Sequence, residues 1–216
     1  MTKRIEIPLI QGLESLPEEG LKKVLTARGS IIPIEEASWE EAYPEKPSCR
    51  AYAAATQKSL CIRFEVRERS LRVQNLSDNL RQWEDSCCEV FLQTDGSDLY
   101  YNFEINPLGK ILAASGPSRE GRRRLSEEKM ATIVRHHGAL PAEPPLDIRR
   151  GVHDWDVTVL IPFALTGLDG APKSLKANFY KCGDLTANPH FLSWNRIGTP
   201  SPDFHRPEYF GIIDIK

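Results

Sequence analysis

The chain has 216 residues, 40% of them hydrophobic and 27% charged, an ordinary globular composition with enough length to bury one sizeable core. Its 28 basic and 30 acidic residues leave a formal net charge of -2, so no global field draws it to nucleic acid or to an anionic membrane. No run approaches the about 18 consecutive apolar residues of a membrane helix, and the start, MTKRIEIPLIQG, lacks the apolar stretch and small-residue cleavage site of a signal peptide. These features predict a cytoplasmic protein, or a secreted or periplasmic one if a leader has been removed.

Taken in order, the chain predicts strands with few helices. Residues 1–48 form an N-terminal extension expected to pack on the rest, with a short helix over Glu18 to Ala27. LCIRFEV (Leu60 to Val66) alternates apolar and polar residues with the period of a half-buried strand. A second short helix is expected over Ser70 to Asn79. CEVFLQT, YYNFEIN and KILAAS then continue the alternation to Ser115, and WDVTVLIPF, LKANFYKCG and YFGIIDI supply three later strands. Prolines punctuate the connections. The fold class is all-β, an antiparallel jelly-roll-like β-sandwich of a single domain, with short helices in its connections.

One segment breaks the rhythm. PSREGRRRLSEEKMATIVRHHG (Pro117 to Gly138) holds three consecutive arginines, Arg122 to Arg124, two glutamates, and Arg135-His136-His137. Clustered guanidinium groups can form an anion site, but the mixed charge favours a solvated excursion between strands. Adjacent His136 and His137 would turn apart on a strand, and with no H-x-x-x-H pattern a catalytic zinc is not expected. The five cysteines, Cys49, Cys61, Cys87, Cys88 and Cys182, show no C-x-x-C spacing and read as buried small hydrophobes. Cys87 and Cys88 should face opposite sides of a strand.

The stretch WEDSCCEVFLQTDGSDLYYNFEINPLG (Trp83 to Gly109) reads as a hairpin around Gly96. An even loop places Glu89, Asn102, Glu104 and Asn106 on one face, with Val90, Leu92, Phe103 and Ile105 on the other. With Gly96 and Ser97 at the corner, Glu89 lies opposite Glu104; with Asp95 and Gly96 there, it lies opposite Asn102. Opposed like charges destabilise a sheet, so the acidic face calls for a reason. A calcium ion could bridge the carboxylates, Arg63 or Lys110 could neutralise them, or a hydroxyl-rich ligand could use them together with the amides. Trp83 precedes this strand, and Trp194 lies in the Pro- and Gly-dense NPHFLSWNRIGTPSPDFHRPEYFG. Indole faces stack on sugar rings while polar neighbours hold the hydroxyls, which suits a concave site. Trp155, inside a strand, is assigned to the core.

Three motifs, D-S-x-x-E-V-F-L, N-F-E-I-N-x-x-G and D-F-H-x-P-E-Y-F-G, occur here in that order between about Cys49 and Ile213. In them the chain resembles the family 9 carbohydrate-binding modules and their stand-alone relatives. The resemblance implies a β-sandwich that binds a mono- or oligosaccharide, or a glycan chain end, without catalysis, in association with carbohydrate breakdown. It further implies a sugar clamped between Trp83 and Trp194, hydrogen bonds from Glu89, Asn102 and Glu104, and structural Ca²⁺, for which Asp85, Asp95 and Asp98 are candidates. Arg63, on a neighbouring strand, joins the ligand-binding set, and His205 reads as part of a structural turn that could line the site.

Two rival readings use the same residues. Glu89 and Glu104 could act as the carboxylate pair of a glycoside-active enzyme, although an open sheet face excludes little water. A sandwich built for protein contacts would carry Trp83 and Trp194 on a flat exposed patch.

Overall fold

The structure, a computed structural model, describes residues 2–216. Fifteen strands are present among them: β1 (Arg4–Ile7), β2 (Ser30–Pro33), β3 (Ser48–Ala55), β4 (Ser59–Glu68), β5 (Leu71–Val73), β6 (Cys87–Gln93), β7 (Tyr100–Ile105), β8 (Ile111–Gly116), β9 (Arg123–Arg124), β10 (Val134–His137), β11 (Leu146–Ile148), β12 (His153–Pro162), β13 (Ser174–Cys182), β14 (Phe191–Ser193) and β15 (Gly211–Ile215). One sheet runs β1-β15-β13-β6-β7-β8-β9, with β14 also on β13, and a second runs β10-β12-β4-β3-β2. All pairs within these sheets are antiparallel except β1 with β15. The fold is therefore the β-sandwich that the alternation predicts.

The N-terminal segment belongs to the sandwich instead of lying on it, because β1 closes one edge of the larger sheet and β2 one edge of the smaller. Between them, α1 (Glu18–Arg28) forms where the helix is expected, with Glu18 and Glu19 in its first turn and Arg28 in its last, each favourable in the field of the peptide dipoles. Its Leu21 and Leu25, one turn apart, pack on Tyr52, Ala54, Cys61 and Leu160. The helix thus covers the outer face of the smaller sheet. The outer face of the larger sheet is left for the site.

The main core lies between the sheets and includes Ile62, Phe64, Val90, Leu92, Phe103, Val157, Phe179 and Trp155. Its membership follows from the period-two alternation of β4, β6, β7, β12 and β13.

Two connections depart from the sequence-based expectation. The helix expected over Ser70 to Asn79 does not form; Leu71 and Val73 are buried in β5, which pairs with β11. The Asp85 carboxylate accepts the Gln74 and Asn75 N–H groups, each at 2.9 Å, and so holds those amides in an extended path. Nor is Pro117 to Gly138 a simple solvated excursion. It carries β9, the short helix α2 (Glu127–Ala131) and β10, and so crosses from the larger sheet to the edge of the smaller. Its Arg135 donates to Asp78 at 2.7 Å, and its Arg122 enters the site.

Candidate functional site

The hairpin takes the register with Gly96 and Ser97 at its corner: Glu89 lies opposite Glu104 and Phe91 opposite Asn102, and Gly96 supplies the positive φ of 72°. On the other side of β6, β13 brings Tyr180 opposite Glu89 and Cys182 opposite Cys87. Three adjacent strands thus project Cys87, Glu89, Phe91, Asn102, Glu104, Tyr180 and Cys182 from one face. Cys88 points the other way, to within 3.9 Å of Cys49 in the core.

Above this face lies a cavity of about 340 Å³, at the small end of ligand sites. Glu89, Asn102, Glu104 and Cys182 line it together with Trp83, Phe191, Phe204, His205, Arg122 and Asp184. The carboxylates are not on an open sheet: Glu89 and Glu104 are only 3% and 4% exposed. Aromatic packing builds the surrounding wall. Phe204 stacks on Tyr180 with centroids 4.1 Å apart, and Phe191 meets Tyr43 edge-on at 4.7 Å. Trp83, half-buried in a short 3-10 turn (Gln82–Glu84), is tied to the opposite loop by the Asp184 N–H, which donates to its carbonyl at 3.1 Å.

A polar relay orients the floor. The Arg122 guanidinium sits 4.0 Å over the Tyr100 ring, and its Nε donates to Asn102 Oδ1 at 2.9 Å. Asn102 Nδ2 in turn donates to Glu104 Oε1 at 2.8 Å. Each amide atom then has one partner, and Glu104 Oε2 is left with none although it is buried. Glu89 Oε1 accepts from the Cys182 thiol at 3.1 Å. Burial, and after it the neighbouring Glu104 charge, pushes the Glu89 carboxyl well above its ordinary range. Burial likewise pushes Glu104 up to about 8, against the pull of the Asn102 hydrogen bond and Arg122. Desolvation explains how two carboxyls tolerate direct opposition: protonation removes the like-charge repulsion.

Several expected site residues lie elsewhere. Trp194 is no second wall: it is 3% exposed and packs in the main core, edge-on to Phe179 at 5.8 Å. The proline and glycine density around it marks a chain crossing over the sheet end, which does not fix on which side the ring falls. Arg63 is also corrected. It sits on the smaller sheet, paired with Asp156 at 2.7 Å and Glu65 at 3.1 Å, because its strand neighbours Ile62 and Phe64 take the core side. Asn106 shapes the turn after β7, accepting from the Leu108 and Lys110 N–H groups. Of the acids considered for calcium, Asp85 has its oxygens taken up by two backbone N–H groups and by Asn106 Nδ2 at 3.2 Å. Asp95 and Asp98 are exposed in the hairpin turn. These three do not converge into the six to eight oxygen ligands that Ca²⁺ takes.

Sequence reasoning missed Arg122, Cys182, Asp184, Phe191 and Phe204 as lining residues. Arg122 had a signal as one of the three consecutive arginines, and Phe204 as a member of the D-F-H-x-P-E-Y-F-G motif.

His205 lines the cavity, its Nδ1 hydrogen-bonded to the Tyr100 hydroxyl at 2.9 Å. Burial, then the Arg122 charge, holds its imidazole down to about 3. An unfolded histidine titrates near 6.5, so as the pH falls below that value the unfolded chain gains a proton that the folded protein refuses. The stability contributed above pH 6.5 is thus lost progressively on acidification. In urea melts, the stability of wild type relative to His205→Gln is expected to fall by roughly 2 kcal/mol between pH 6.5 and 4.5. A pH-independent difference would show that the imidazole is not held neutral.

Comparison with known proteins gives a consistent placement. The sequence model of the family described as Carbohydrate-binding family 9 matches residues 20–215. A candidate carbohydrate-binding protein from Bacteroides uniformis ATCC 8492 superposes with a TM-score of 0.90 at 31% identity, over 100% of both chains. A family 9 carbohydrate-binding module from Caldicellulosiruptor kristjanssonii in complex with glucose superposes at 0.61 with 11% identity, over 99% of this chain and 96% of that one. A family 9 module from the same organism in complex with cellotriose gives 0.61 at 12% identity, over 99% and 94%. Among curated proteins none matches the sequence.

Proposed function

The chain belongs to carbohydrate-binding family 9, and from that premise we propose that it holds a sugar, without turning it over, in the cavity on the outer face of the larger sheet. The ligand class is a mono- or oligosaccharide, or the end of a glycan chain. Trp83 supplies one stacking wall, and Phe191 takes the place that Trp194 does not. Asn102, Glu104 and Glu89 meet the hydroxyls. The observation that carries this reading is Glu104 Oε2, a buried oxygen without a partner at the floor of an aromatic-lined cavity. A buried polar atom left unpaired costs about 1–3 kcal/mol, and a ligand hydroxyl, which both donates and accepts, relieves that cost.

The carboxyl pair favours binding over catalysis. Glycosidases hold one acid neutral and its partner ionised, whereas burial pushes Glu89 and Glu104 in the same direction. The modules of like fold that hold glucose and cellotriose make glucosyl ligands the first to try.

Titration with glucose, cellotriose and a wider sugar panel, followed by intrinsic tryptophan fluorescence and by calorimetry, tests the reading. Saturable binding is expected with at least one sugar. Loss of a hydrogen bond to a neutral carboxyl, about 0.5–1.5 kcal/mol, should weaken it roughly 2–10-fold in Glu104→Gln. Folded protein that answers no sugar defeats the proposal, and release of product from aryl glycosides would replace binding with catalysis.

A further inference from the structure

Beneath the sugar-facing groups lies a second constellation. Cys87 and Cys182 are direct cross-strand partners on β6 and β13, and Glu89, two residues along β6, projects from the same face. One ligand atom from each of the three lies within 4.8 Å of the others, and all three side chains are buried. The closest contact is already 3.1 Å, between Cys182 Sγ and Glu89 Oε1. No other such trio of His, Cys, Asp or Glu converges among the described residues.

We infer that Cys87, Cys182 and Glu89 form a binding site for a soft divalent cation of the zinc class at the floor of the cavity. A tetrahedral ion with Zn–S near 2.3 Å and Zn–O of about 2.0–2.2 Å spaces its ligand atoms by roughly 3.5–4 Å. The trio reaches that spacing with shifts on the order of 1 Å or less, within the play of side-chain torsions. Two thiolates select such an ion and reject calcium and magnesium, which take hard oxygen ligands. As the ion binds, the two thiol protons and the proton of the buried Glu89 carboxyl pass to solvent.

The fourth position has an evident direction. Cys182 and Glu89 line the cavity, so the open side of the ion faces it and admits water or a ligand hydroxyl. Glu104, directly opposite Glu89, offers its unpartnered Oε2 there as acceptor for that oxygen's proton. The ion's binding does not require a sugar, so this site stands or falls separately from the carbohydrate reading.

Titration of the full chain with Co²⁺, after reduction and removal of metals by a chelator, reads the site directly. Thiolate-to-cobalt charge-transfer absorption and the visible bands of a tetrahedral site are expected to saturate at one equivalent. They should yield to Zn²⁺ but not to excess Ca²⁺. Both Cys87→Ser and Cys182→Ser should abolish the charge-transfer bands, while Cys49→Ser, which alters the thiol pair in the core, keeps them. Glu89→Gln leaves both thiols in place and should weaken binding at least about tenfold, since even outer-shell changes cost 10–100-fold. It therefore decides the matter should the serine variants fail to fold. Folded protein without thiolate bands, bands that persist in either serine variant, displacement by Ca²⁺, or unchanged affinity in Glu89→Gln would overturn the inference.

Discussion

Replacing Lys181 by methionine is expected to destabilise the domain by about 3–5 kcal/mol, the usual consequence of removing one partner from a buried ion pair. Lys181 continues the core-facing row of Leu175, Ala177 and Phe179 along β13, and it is 0% exposed. Its Nζ lies 3.0 Å from Glu68 Oε2 on the opposing sheet, a charge contact without hydrogen-bond alignment. It also bonds the Cys182 carbonyl and His190 Nε2, each at 2.8 Å. Glu68 Oε1 accepts from Trp155 Nε1, and His190 Nδ1 faces the Asn188 carbonyl at 2.8 Å, which leaves Nε2 as the acceptor for lysine. Desolvation is the largest single influence and pulls the Lys181 ammonium down, but the Glu68 charge and the other buried neighbours together hold the group above its ordinary value. Burial, with Lys181 beside it, keeps His190 neutral.

The variant would leave the Glu68 carboxylate between the sheets with no cation. Adding Glu68→Gln, which keeps an acceptor for Trp155, should restore most of the loss. The test is a double-mutant cycle on urea midpoints, where strong favourable coupling is expected. A loss below about 1 kcal/mol in the single variant would mean that the ammonium is not paired as described.

That network shows where sequence reading stops. Lys181 interrupts an otherwise apolar core row, and Glu68 ends a strand of the other sheet; neither spacing nor composition relates them. The hairpin is the opposite case. The turn at Gly96, the acid–amide face and the core face of β6 and β7 follow from a two-residue period and one turn residue, and the structure takes one of the two registers these allow. Local rules of this kind reach only as far as the next strand. Cys182 joins the floor by the pairing of β13 with β6, which no motif in either strand encodes. Arg122 enters by the path of a long connection, and its charge pattern alone favours solvent. The helix expected over Ser70 to Asn79 fails for a similar reason, since its amides are claimed by Asp85 from beyond the segment.

The two tryptophans considered as a clamp should separate in a single pair of variants. Trp194 is a core residue: its backbone N–H donates to the Phe179 carbonyl at 2.8 Å, and its ring lies so close to Gly211 that a Cβ there would run into Trp194 Cζ3. Trp194→Ala therefore opens a cavity in packed surroundings and is expected to cost about 3–5 kcal/mol. Below its lowered melting temperature, its sugar affinity should be retained. Trp83 is half-buried at the cavity wall, and an aromatic contact beyond area burial contributes about 0.5–1.5 kcal/mol. Trp83→Ala should stay within about 1 kcal/mol of wild type in stability while weakening sugar binding roughly tenfold or more. Urea melts and sugar titrations on the same two proteins read both quantities. The reverse pattern, a stable Trp194→Ala that no longer binds beside an unaffected Trp83→Ala, would return Trp194 to the site. It would also mean that the indole faces the cavity instead of Phe179 and Gly211. Gly211→Ala provides the reciprocal check: its methyl meets the same ring, so it should destabilise through overpacking by about 1–3 kcal/mol without changing sugar affinity.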